Sequence, residues 1–206
     1  MVQKFIPNIV VGRLPSYLRT LQRMKREARQ VTSSQELGER LGISAAQIRK
    51  DLSQFGEFGK QGTGYNIDFL ISQLQQILHV DRVWDVVVVG AGDVGHALAR
   101  YQGFKNRGFH ITMVFDSDSN KIGGRVGDFI IQDIATLVTV AKEAGIKIAM
   151  LAVPAVQAQE VTNKLIEAGV MAILNYAPIS LTVPEGVQVE YNDPVIQLQR
   201  MTYHLS

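Results

Sequence analysis

From Trp84 onward, uninterrupted apolar runs of strand length alternate with helical segments, and this pattern constrains the fold more than any other feature of the sequence. Runs without polar interruption are buried on both faces, as in a parallel sheet covered by helices. The runs are residues 86–89, 111–115, 129–131, 148–153 and 170–174, and the helical segments are 94–101, 134–144 and 155–168. Each helix fits a right-handed crossover. We predict a Rossmann-like, doubly wound parallel α/β sheet in a domain of residues 84–190.

A glycine motif lies directly between the first apolar run and the next helix: Gly90, Ala91, Gly92, Asp93, Val94 and Gly95. Glycines there permit a tight turn and let backbone N–H groups and a helix N-terminus approach a pyrophosphate. Asp116 ends the second run, 21 residues after Gly95, where its carboxylate would accept hydrogen bonds from a ribose diol. Its charge disfavours a 2′-phosphate, and neither Ser117 nor Asp118 supplies an arginine. The motif therefore predicts binding of NAD rather than NADP.

Two further loops follow predicted strands, and ligands of open α/β sheets bind at the carboxyl ends of the strands. Pro154 follows the run 148–153, and Asn175, Tyr176, Ala177 and Pro178 follow the run 170–174. We expect all five to line the cofactor site, with the Asn175 amide bonding a nicotinamide amide and the Tyr176 ring packing on its ring. A plain turn at a strand end explains the second loop equally well.

The N-terminal region carries two capping-box signatures eleven residues apart, in which Ser33 is followed by Glu36 and Ser44 by Gln47. They predict short helices over 35–41, which ends at Gly42, and over 45–55. Helix, glycine turn, helix is the helix-turn-helix pattern. An amphipathic helix over 14–29 precedes it. The second helix of the motif leaves Gln47, Arg49 and Lys50 to face outward, where it would enter a DNA major groove.

Glycines at 56, 59, 62 and 64 disfavour a helix and suit a tight β-hairpin, which we interpret as a wing. Asn66 then caps another helix, which closes a winged-helix domain of residues 1–80. Residues 1–60 hold eleven Lys or Arg against five Asp or Glu, a net charge of +6, whereas residues 61–206 carry −4. The basic domain suggests a polyanion partner, although a solvated basic helix face gives the same charge.

The sequence holds no cysteine, which excludes disulfides, thiolate metal sites and a cysteine nucleophile. None of the four histidines belongs to a recognisable acid/base pair, and no metal-ligand spacing is present. His96 is the best acid candidate, yet a solvated histidine at a helix start explains it too. We therefore predict no catalytic and no metal-binding residues, and a sensor rather than an enzyme. A small nicotinamide-dependent oxidoreductase with an appended basic domain and a CoA- or nucleotide-binding module are the rival interpretations.

No apolar run approaches the roughly 20 residues that a membrane-spanning helix needs, and the N-terminus lacks the apolar core of a signal peptide. We expect a cytoplasmic protein without a membrane partner. A short final helix within residues 193–206 is too apolar to stand alone in water, so it needs a partner surface.

Nearly the whole chain resembles the Rex family of bacterial redox-sensing transcriptional repressors. The residues that carry this resemblance are Leu18-Arg19, Gln47-Ile48-Arg49-Lys50-Asp51-Leu52, Phe55-Gly56, Gly62-Thr63-Gly64-Tyr65, the glycine motif, Phe115-Asp116, Val153-Pro154, Leu174-Asn175-Tyr176-Ala177-Pro178 and Asp193. Several are common individually, but their order and spacing together are highly specific.

The resemblance implies a homodimer that exchanges its C-terminal helix and reads an inverted-repeat operator in double-stranded DNA. NADH would release the DNA and NAD⁺ would permit its binding, so that the NADH/NAD⁺ ratio controls transcription. The implied DNA contacts are Ser44, Gln47, Arg49 and Lys50 in the major groove and Lys60, Gln61 and Gly62 of the wing in the minor groove. Tyr101 matches a tyrosine associated with sensing, and Asp193 matches an aspartate that pairs with Arg19 and couples the two domains.

Two positions depart from the family pattern. Gln61 stands where the wing often carries arginine, so the minor-groove contact would move to Lys60. Pro194 stands where a larger apolar residue is frequent, which changes the packing expected beside the nicotinamide.

Overall fold

The computed structural model describes residues 6–59, 64–203 and 205. The chain divides into two compact units, Met1–Arg82 and Val83–Ser206. No helix in the described part of the chain is long and apolar enough to cross a membrane.

The first unit is mainly helical. Its elements are α1 (Asn8–Val11), α2 (Leu14–Arg26), β1 (Val31–Thr32), α3 (Ser34–Leu41), α4 (Ala45–Leu52), β2 (Tyr65–Asn66) and α5 (Ile67–Ile77). The predicted caps form: Oγ of Ser33 accepts from the N–H of Glu36 at 3.0 Å, and Oγ of Ser44 accepts from the N–H of Gln47 at 3.2 Å. Gly42 ends α3 in the left-handed conformation, as the stop signal predicts. The helix-turn-helix prediction is confirmed.

Two helix ends differ from the prediction. Helix α2 ends at Arg26 rather than 29, because Ala28 adopts a left-handed φ of 59° that no helix tolerates. Helix α4 ends at Leu52 rather than 55. The apolar faces of α2, α3, α4 and α5 meet in one core, whose fully buried members include Tyr17, Leu37, Ile48 and Leu70.

The predicted wing hairpin over 56–65 is only partly matched. Strand β2 pairs antiparallel with β1, with Thr32 opposite Tyr65, whereas residues 56–59 belong to no strand. The chain does return on itself here, because a Cβ at Gly59 would lie 2.6 Å from the carbonyl oxygen of Gly64. Lys60, Gln61 and Gly62 lie outside the described residues.

The second unit is a sheet of seven strands with helices on both faces. Its strands are β3 (Trp84–Val89), β4 (Phe109–Asp116), β5 (Arg125–Val126), β6 (Phe129–Asp133), β7 (Ile148–Leu151), β8 (Ala172–Asn175) and β9 (Gln188–Tyr191). Its helices are α6 (Asp93–Arg100), α7 (Leu137–Glu143), α8 (Ala155–Glu167) and α9 (Pro194–Thr202), with 3₁₀ turns at Lys105–Arg107 and Ile134–Thr136. The strand order is β5-β6-β4-β3-β7-β8-β9, and every neighbouring pair except β5–β6 is parallel.

Burial on both faces of β3 explains why its sequence is an unbroken valine run. Val87 and Val89 pack with residues of α7 and α8, while Val86 and Val88 pack in a second cluster that includes Ala99 of α6. All four valines are fully buried. The doubly wound prediction is confirmed, and the edge strands β5 and β9, which lack apolar runs, are additions to it.

Candidate functional site

A cavity of about 470 Å³ opens at the carboxyl ends of three strands of the second unit. It is lined by residues that follow β3, β4 and β7, among them Gly90, Asp116 and Pro154. The chain leaves β3 toward β4 on one side and returns to β7 on the other, so the cavity lies where the strand order reverses. Ligands of open α/β sheets bind at such a point.

The three glycines of the motif have three different surroundings. Gly90 has a φ of 101° and approaches the Ala152 carbonyl so closely that a Cβ would collide with it. A Cβ on Gly95 would collide with the Gly90 carbonyl, so glycine there allows helix α6 to pack against the turn. Gly92 lines the cavity, and a Cβ at this position would meet no atom within 4 Å. Backbone at Gly92 is therefore open to a pyrophosphate at the start of α6.

Asp116 ends β4 as predicted, and it is 7% exposed. Its Oδ1 accepts from the Asp118 N–H at 2.8 Å, and its Oδ2 accepts from the Ala91 N–H at 2.7 Å and from Nζ of Lys121 at 3.2 Å. Burial alone would raise the pKa of this carboxyl, but the two backbone N–H groups and the lysine outweigh it and hold the pKa below its usual value. Asp116 is thus an ionised acceptor beside the cavity.

The structure brings some of the predicted cofactor residues together and leaves others apart. Gly90, Gly92, Asp93, Val94, Asp116 and Pro154 line the cavity. Ala91 is buried beneath it and contributes its N–H to Asp116. Asn175, Tyr176, Ala177 and Pro178 form the loop after β8 and are not among the lining residues.

The Asn175 side chain orders its own loop. It is 1% exposed, its Oδ1 accepts from the Ala177 N–H, and its Nδ2 donates to the carbonyls of Ala177 and Ile179. Tyr176 is half-buried against the core cluster of α6. A contact of this loop with the nicotinamide stays a prediction, and the structure supplies the ordering role instead.

Sequence reasoning did not assign eight of the lining residues to the cofactor site: Val89, Ser117, Asp118, Lys121, Ile134, Ala152, Val153 and Gln157. Lys121 lies in the turn after β4, five residues beyond Asp116, where no strand or helix pattern marks it. No histidine lies among the lining residues that the structure describes. Nor does any group of three or more His, Cys, Asp or Glu among the described residues form a candidate metal site.

In the first unit, α4 presents its basic residues to solvent. Arg49 and Lys50 are exposed, and Nη1 of Arg49 donates to Oγ of Ser34 on α3 at 2.8 Å. Gln47 is half-buried, and its Nε2 donates to Oδ1 of Asp51 at 2.7 Å. A DNA contact by Gln47 would have to break or share that bond.

Asp51 anchors α4 from the opposite side, a role that sequence reasoning missed. It is fully buried, and it accepts from Nε and Nη2 of Arg13 at 2.6 and 2.8 Å and from the Tyr17 hydroxyl at 2.6 Å, besides Gln47. Burial raises the pKa of Asp51, but these donors outweigh it and leave the pKa below its usual value. Burial and the hydrogen bond to Asp51 raise the pKa of Tyr17 to about 12. The network ties α4 to the start of α2.

Of the three residues predicted to couple the domains, Arg19 and Tyr101 are exposed and Asp193 is half-buried. Arg19 is exposed on α2. Tyr101 is 50% exposed after α6, and its ring contacts Phe104 edge to face with centroids 4.9 Å apart. Oδ1 of Asp193 accepts from the Val195 N–H at 2.8 Å and so caps α9. Pairing of Arg19 with Asp193 stays a prediction.

A basic helix-turn-helix and a dinucleotide pocket in one chain define the class of nucleotide-responsive DNA-binding proteins. A family model described as "CoA binding domain" matches residues 81–179, and one described as "Putative DNA-binding protein N-terminus" matches residues 5–53. The first match reflects the nucleotide-binding unit, and the second covers the helix-turn-helix.

Known proteins are similar over nearly the whole chain. The redox-sensing transcriptional repressor Rex of Chloroflexus aggregans is 54% identical over 200 residues, which cover 97% of this chain and 94% of that protein. Rex 1 of Thermotoga maritima is 44% identical over 201 residues, with coverage of 97% and 96%. The chain belongs to the Rex family of redox-sensing transcriptional repressors.

Solved structures agree with this assignment. The crystal structure of RSP, a Rex-family repressor, in complex with β-NAD⁺ and operator DNA superposes with a TM-score of 0.94 at 35% identity, covering 98% of this chain and 94% of that one. RSP in complex with β-NADH gives a TM-score of 0.89 at 33% identity, with coverage of 98% and 95%. The predicted fold class is confirmed, and exchange of the C-terminal helix stays a prediction.

Proposed function

We propose that this protein represses transcription by binding an inverted-repeat operator as a homodimer and that NADH releases it, so that the NADH/NAD⁺ ratio sets expression. The observation that carries the proposal is the likeness, with a TM-score of 0.94 over 98% of the chain, to a repressor bound to both β-NAD⁺ and operator DNA. The basic helix-turn-helix would bind the DNA, and the cavity beside Asp116 would bind the cofactor that controls this binding. The proposal assigns no catalytic step to the chain, which would act in the cytoplasm beside the DNA it controls.

The cofactor would lie across the carboxyl edge of the sheet. Its pyrophosphate would meet the backbone of residues 90–95, and its adenosine ribose would meet Asp116. The nicotinamide would extend past Pro154 toward the loop of residues 175–178. NAD⁺ and NADH differ only in the nicotinamide ring and one unit of charge, so discrimination between them must arise around that ring. Tyr176, in the loop after β8, is the aromatic side chain that we assign to that end. Tyr101 follows α6 at the opposite edge of the sheet, beside Phe109, and would reach the nicotinamide only from a second copy of the chain.

Helix α9 supports the homodimer. Its apolar residues Val195, Ile196, Leu198 and Met201 are 50–62% exposed. An apolar helix face of this kind needs cover, which a second copy would supply by exchange of residues 193–206. Two copies related by a two-fold axis would place two α4 helices on an inverted repeat with half-sites about one or more DNA turns apart. Pairing of Asp193 with Arg19 would transmit the state of the cofactor to the DNA-binding units.

The test is fluorescence anisotropy on a labelled inverted-repeat duplex that the protein itself selects from random DNA. NADH added against a fixed NAD⁺ background should release the duplex. Failure to select any duplex would contradict the DNA-binding role. A bound duplex that NADH leaves untouched would instead show that the two units are not coupled.

The recognition helix gives a sharper prediction. Arg49→Ala or Lys50→Ala should weaken DNA binding and make the slope of log affinity against log salt shallower by about one, because each lost phosphate contact releases about one counterion fewer. NADH affinity should not change. Lys142→Ala, which removes an exposed lysine from α7 of the second unit, is the matched control and should leave both affinities unchanged. An unchanged salt slope in both α4 variants would remove α4 as the recognition helix.

The match of residues 81–179 to a CoA-binding model favours a second candidate, a repressor that responds to CoA or another adenine nucleotide. Both ligands share an adenosine and a pyrophosphate, so both fit the glycine motif. Competition decides between them. CoA that displaces NADH and also shifts DNA binding would favour the second candidate.

A further inference from the structure

The turn after β4 places a positive charge where the cofactor's adenosine ribose would bind. Nζ of Lys121 lies 3.2 Å from Oδ2 of Asp116, and the Lys121 side chain is 40% exposed. The residues that line the cavity include three aspartates, Asp93, Asp116 and Asp118, and Lys121 is the only Lys or Arg among them. Its charge is therefore the one side-chain attraction that the described lining offers to an anion.

The backbone of Lys121 is fixed by the hydrogen bonds of the turn. Its N–H donates to the Asp118 carbonyl at 2.9 Å, and its own carbonyl accepts from the Gly124 N–H at 2.9 Å. A Cβ on Gly124 would lie 2.8 Å from that carbonyl, which makes glycine the residue that fits there. Only the lysine side chain is left to move.

Asp116 does not have room for a ribose diol and Lys121 at once. Its Oδ2 already accepts two hydrogen bonds, from Ala91 and Lys121, and its Oδ1 accepts one from Asp118. Each carboxylate oxygen accepts about two, so one acceptor position remains for two ribose hydroxyls. The two backbone donors, Ala91 and Asp118, are part of the turns after β3 and β4 and cannot leave unless those turns rearrange. The side chain of Lys121 is therefore the donor that a ribose diol would displace from Asp116.

We propose that Lys121 is a specificity residue of the cofactor site: it competes with the ribose diol for Asp116 and, once displaced, pairs with a 2′-phosphate. Lys121 thereby narrows the preference for NADH over NADPH that Asp116 alone would impose. An ammonium group one hydrogen bond away from the diol acceptor would lie beside the 2′-oxygen of a bound cofactor, and a lysine is a common partner of phosphate. This inference rests on the proposed nicotinamide cofactor.

The experiment measures the dissociation constants of NADH and NADPH by isothermal titration calorimetry on the full-length protein. Lys121→Gln removes the charge and leaves a polar side chain one atom shorter, while Lys121→Arg keeps the charge. Lys142→Gln, on α7, is the control for a general loss of one positive charge. The quantity of interest is the ratio of the NADPH constant to the NADH constant, because removing the competition with the diol and removing the pairing with the 2′-phosphate both raise it.

Lys121→Gln should raise that ratio by roughly three- to fivefold, the effect of one half-exposed ion pair. The arginine variant and the Lys142 control should stay within about twofold of wild type, the scatter allowed for a change of about 0.4 kcal/mol. A ratio that is unchanged or lower in Lys121→Gln would overturn the assignment, as would a wild-type protein that binds NADH but no NADPH at all. Wild-type protein that binds neither nucleotide would instead overturn the proposed function itself.

Discussion

The two units each contain one buried aspartate that is held ionised, and the two carboxylates differ in how their acceptor positions are filled. Asp51 in the first unit is fully buried and accepts four hydrogen bonds, all from side chains. Asp116 in the second unit is 7% exposed and accepts three, two of them from backbone N–H groups. The pKa of each lies below its usual value, because hydrogen-bond donors outweigh burial.

The difference separates a structural carboxylate from a binding one. Asp51 has no acceptor position left, so it serves to hold α4 against α2. Asp116 keeps one position open toward the cavity, and a third donor, Lys121, is a half-exposed side chain that a ligand is able to displace. A low pKa alone therefore does not mark a ligand site. The unfilled acceptor beside a cavity does.

The largest effect is expected from Asp51→Asn. An amide in place of the carboxylate leaves the Arg13 guanidinium without its counter-ion and turns one acceptor into a donor that faces other donors. Breaking a buried pair on one side costs about 3–4 kcal/mol, so the first unit should unfold at much lower urea concentration. The far-UV circular dichroism should lose part of its amplitude early, whereas emission of the single tryptophan, Trp84 in β3, should follow the second unit unchanged.

The matched control is Asp68→Asn in the same unit. Asp68 pairs with Lys25 at 2.6 Å, but both side chains are at least 60% exposed. An exposed pair contributes about 0–1 kcal/mol, so this variant should unfold nearly as wild type does. Equal losses in the two variants would contradict the structural role of Asp51.

Acidification should weaken the first unit through the same carboxylate. Because the folded-state pKa of Asp51 is lowered, its contribution is fully present above the unfolded-state value of about 3.9 and is lost as the pH falls through the folded-state pKa. Urea titrations followed by circular dichroism between pH 7 and pH 3 measure this loss of unfolding free energy. The loss should not exceed the one caused by Asp51→Asn at pH 7. In the Asp51→Asn protein, the unfolding free energy should fall less steeply with decreasing pH than in wild type. An equally steep fall in the variant would show that other carboxyl groups cause the acid sensitivity.

Local patterns in the sequence were sufficient to predict the elements on which both sites stand. The caps at Ser33 and Ser44 and the glycine motif each depend on spacings of three to five residues, which the sequence displays directly. Asp116 was predictable for a related reason, since a carboxylate at the end of a buried run marks the carboxyl edge of a parallel sheet.

Partners far apart in the chain were not predictable in this way. Asp51 meets Tyr17 and Arg13 across 34 and 38 residues, and no periodicity records that meeting. Strand β9 is an edge strand whose exposed positions give it no apolar run, and β2 finds its partner in Val31–Thr32, outside the predicted hairpin. Lys121 lies in an irregular turn, where only the folded backbone brings its side chain back to Asp116.

The smallest effect is expected from Asp116→Asn, and it should appear in binding more than in stability. The site opens on the cavity, so water is able to satisfy the backbone donors that the amide fails to meet, and the second unit should lose about 1 kcal/mol by Trp84 emission in urea. NADH affinity should fall about tenfold, because a hydrogen bond from the diol to a charged acceptor is worth about 1.4 kcal/mol. Calorimetric titration of NADH measures this loss, and Glu143→Gln, which removes an exposed carboxylate of α7 that does not line the cavity, is the control. If Asp116→Asn instead unfolded the second unit as severely as Asp51→Asn unfolds the first, while leaving NADH affinity intact, Asp116 would be a second structural carboxylate, and an open acceptor position would no longer distinguish the two sites.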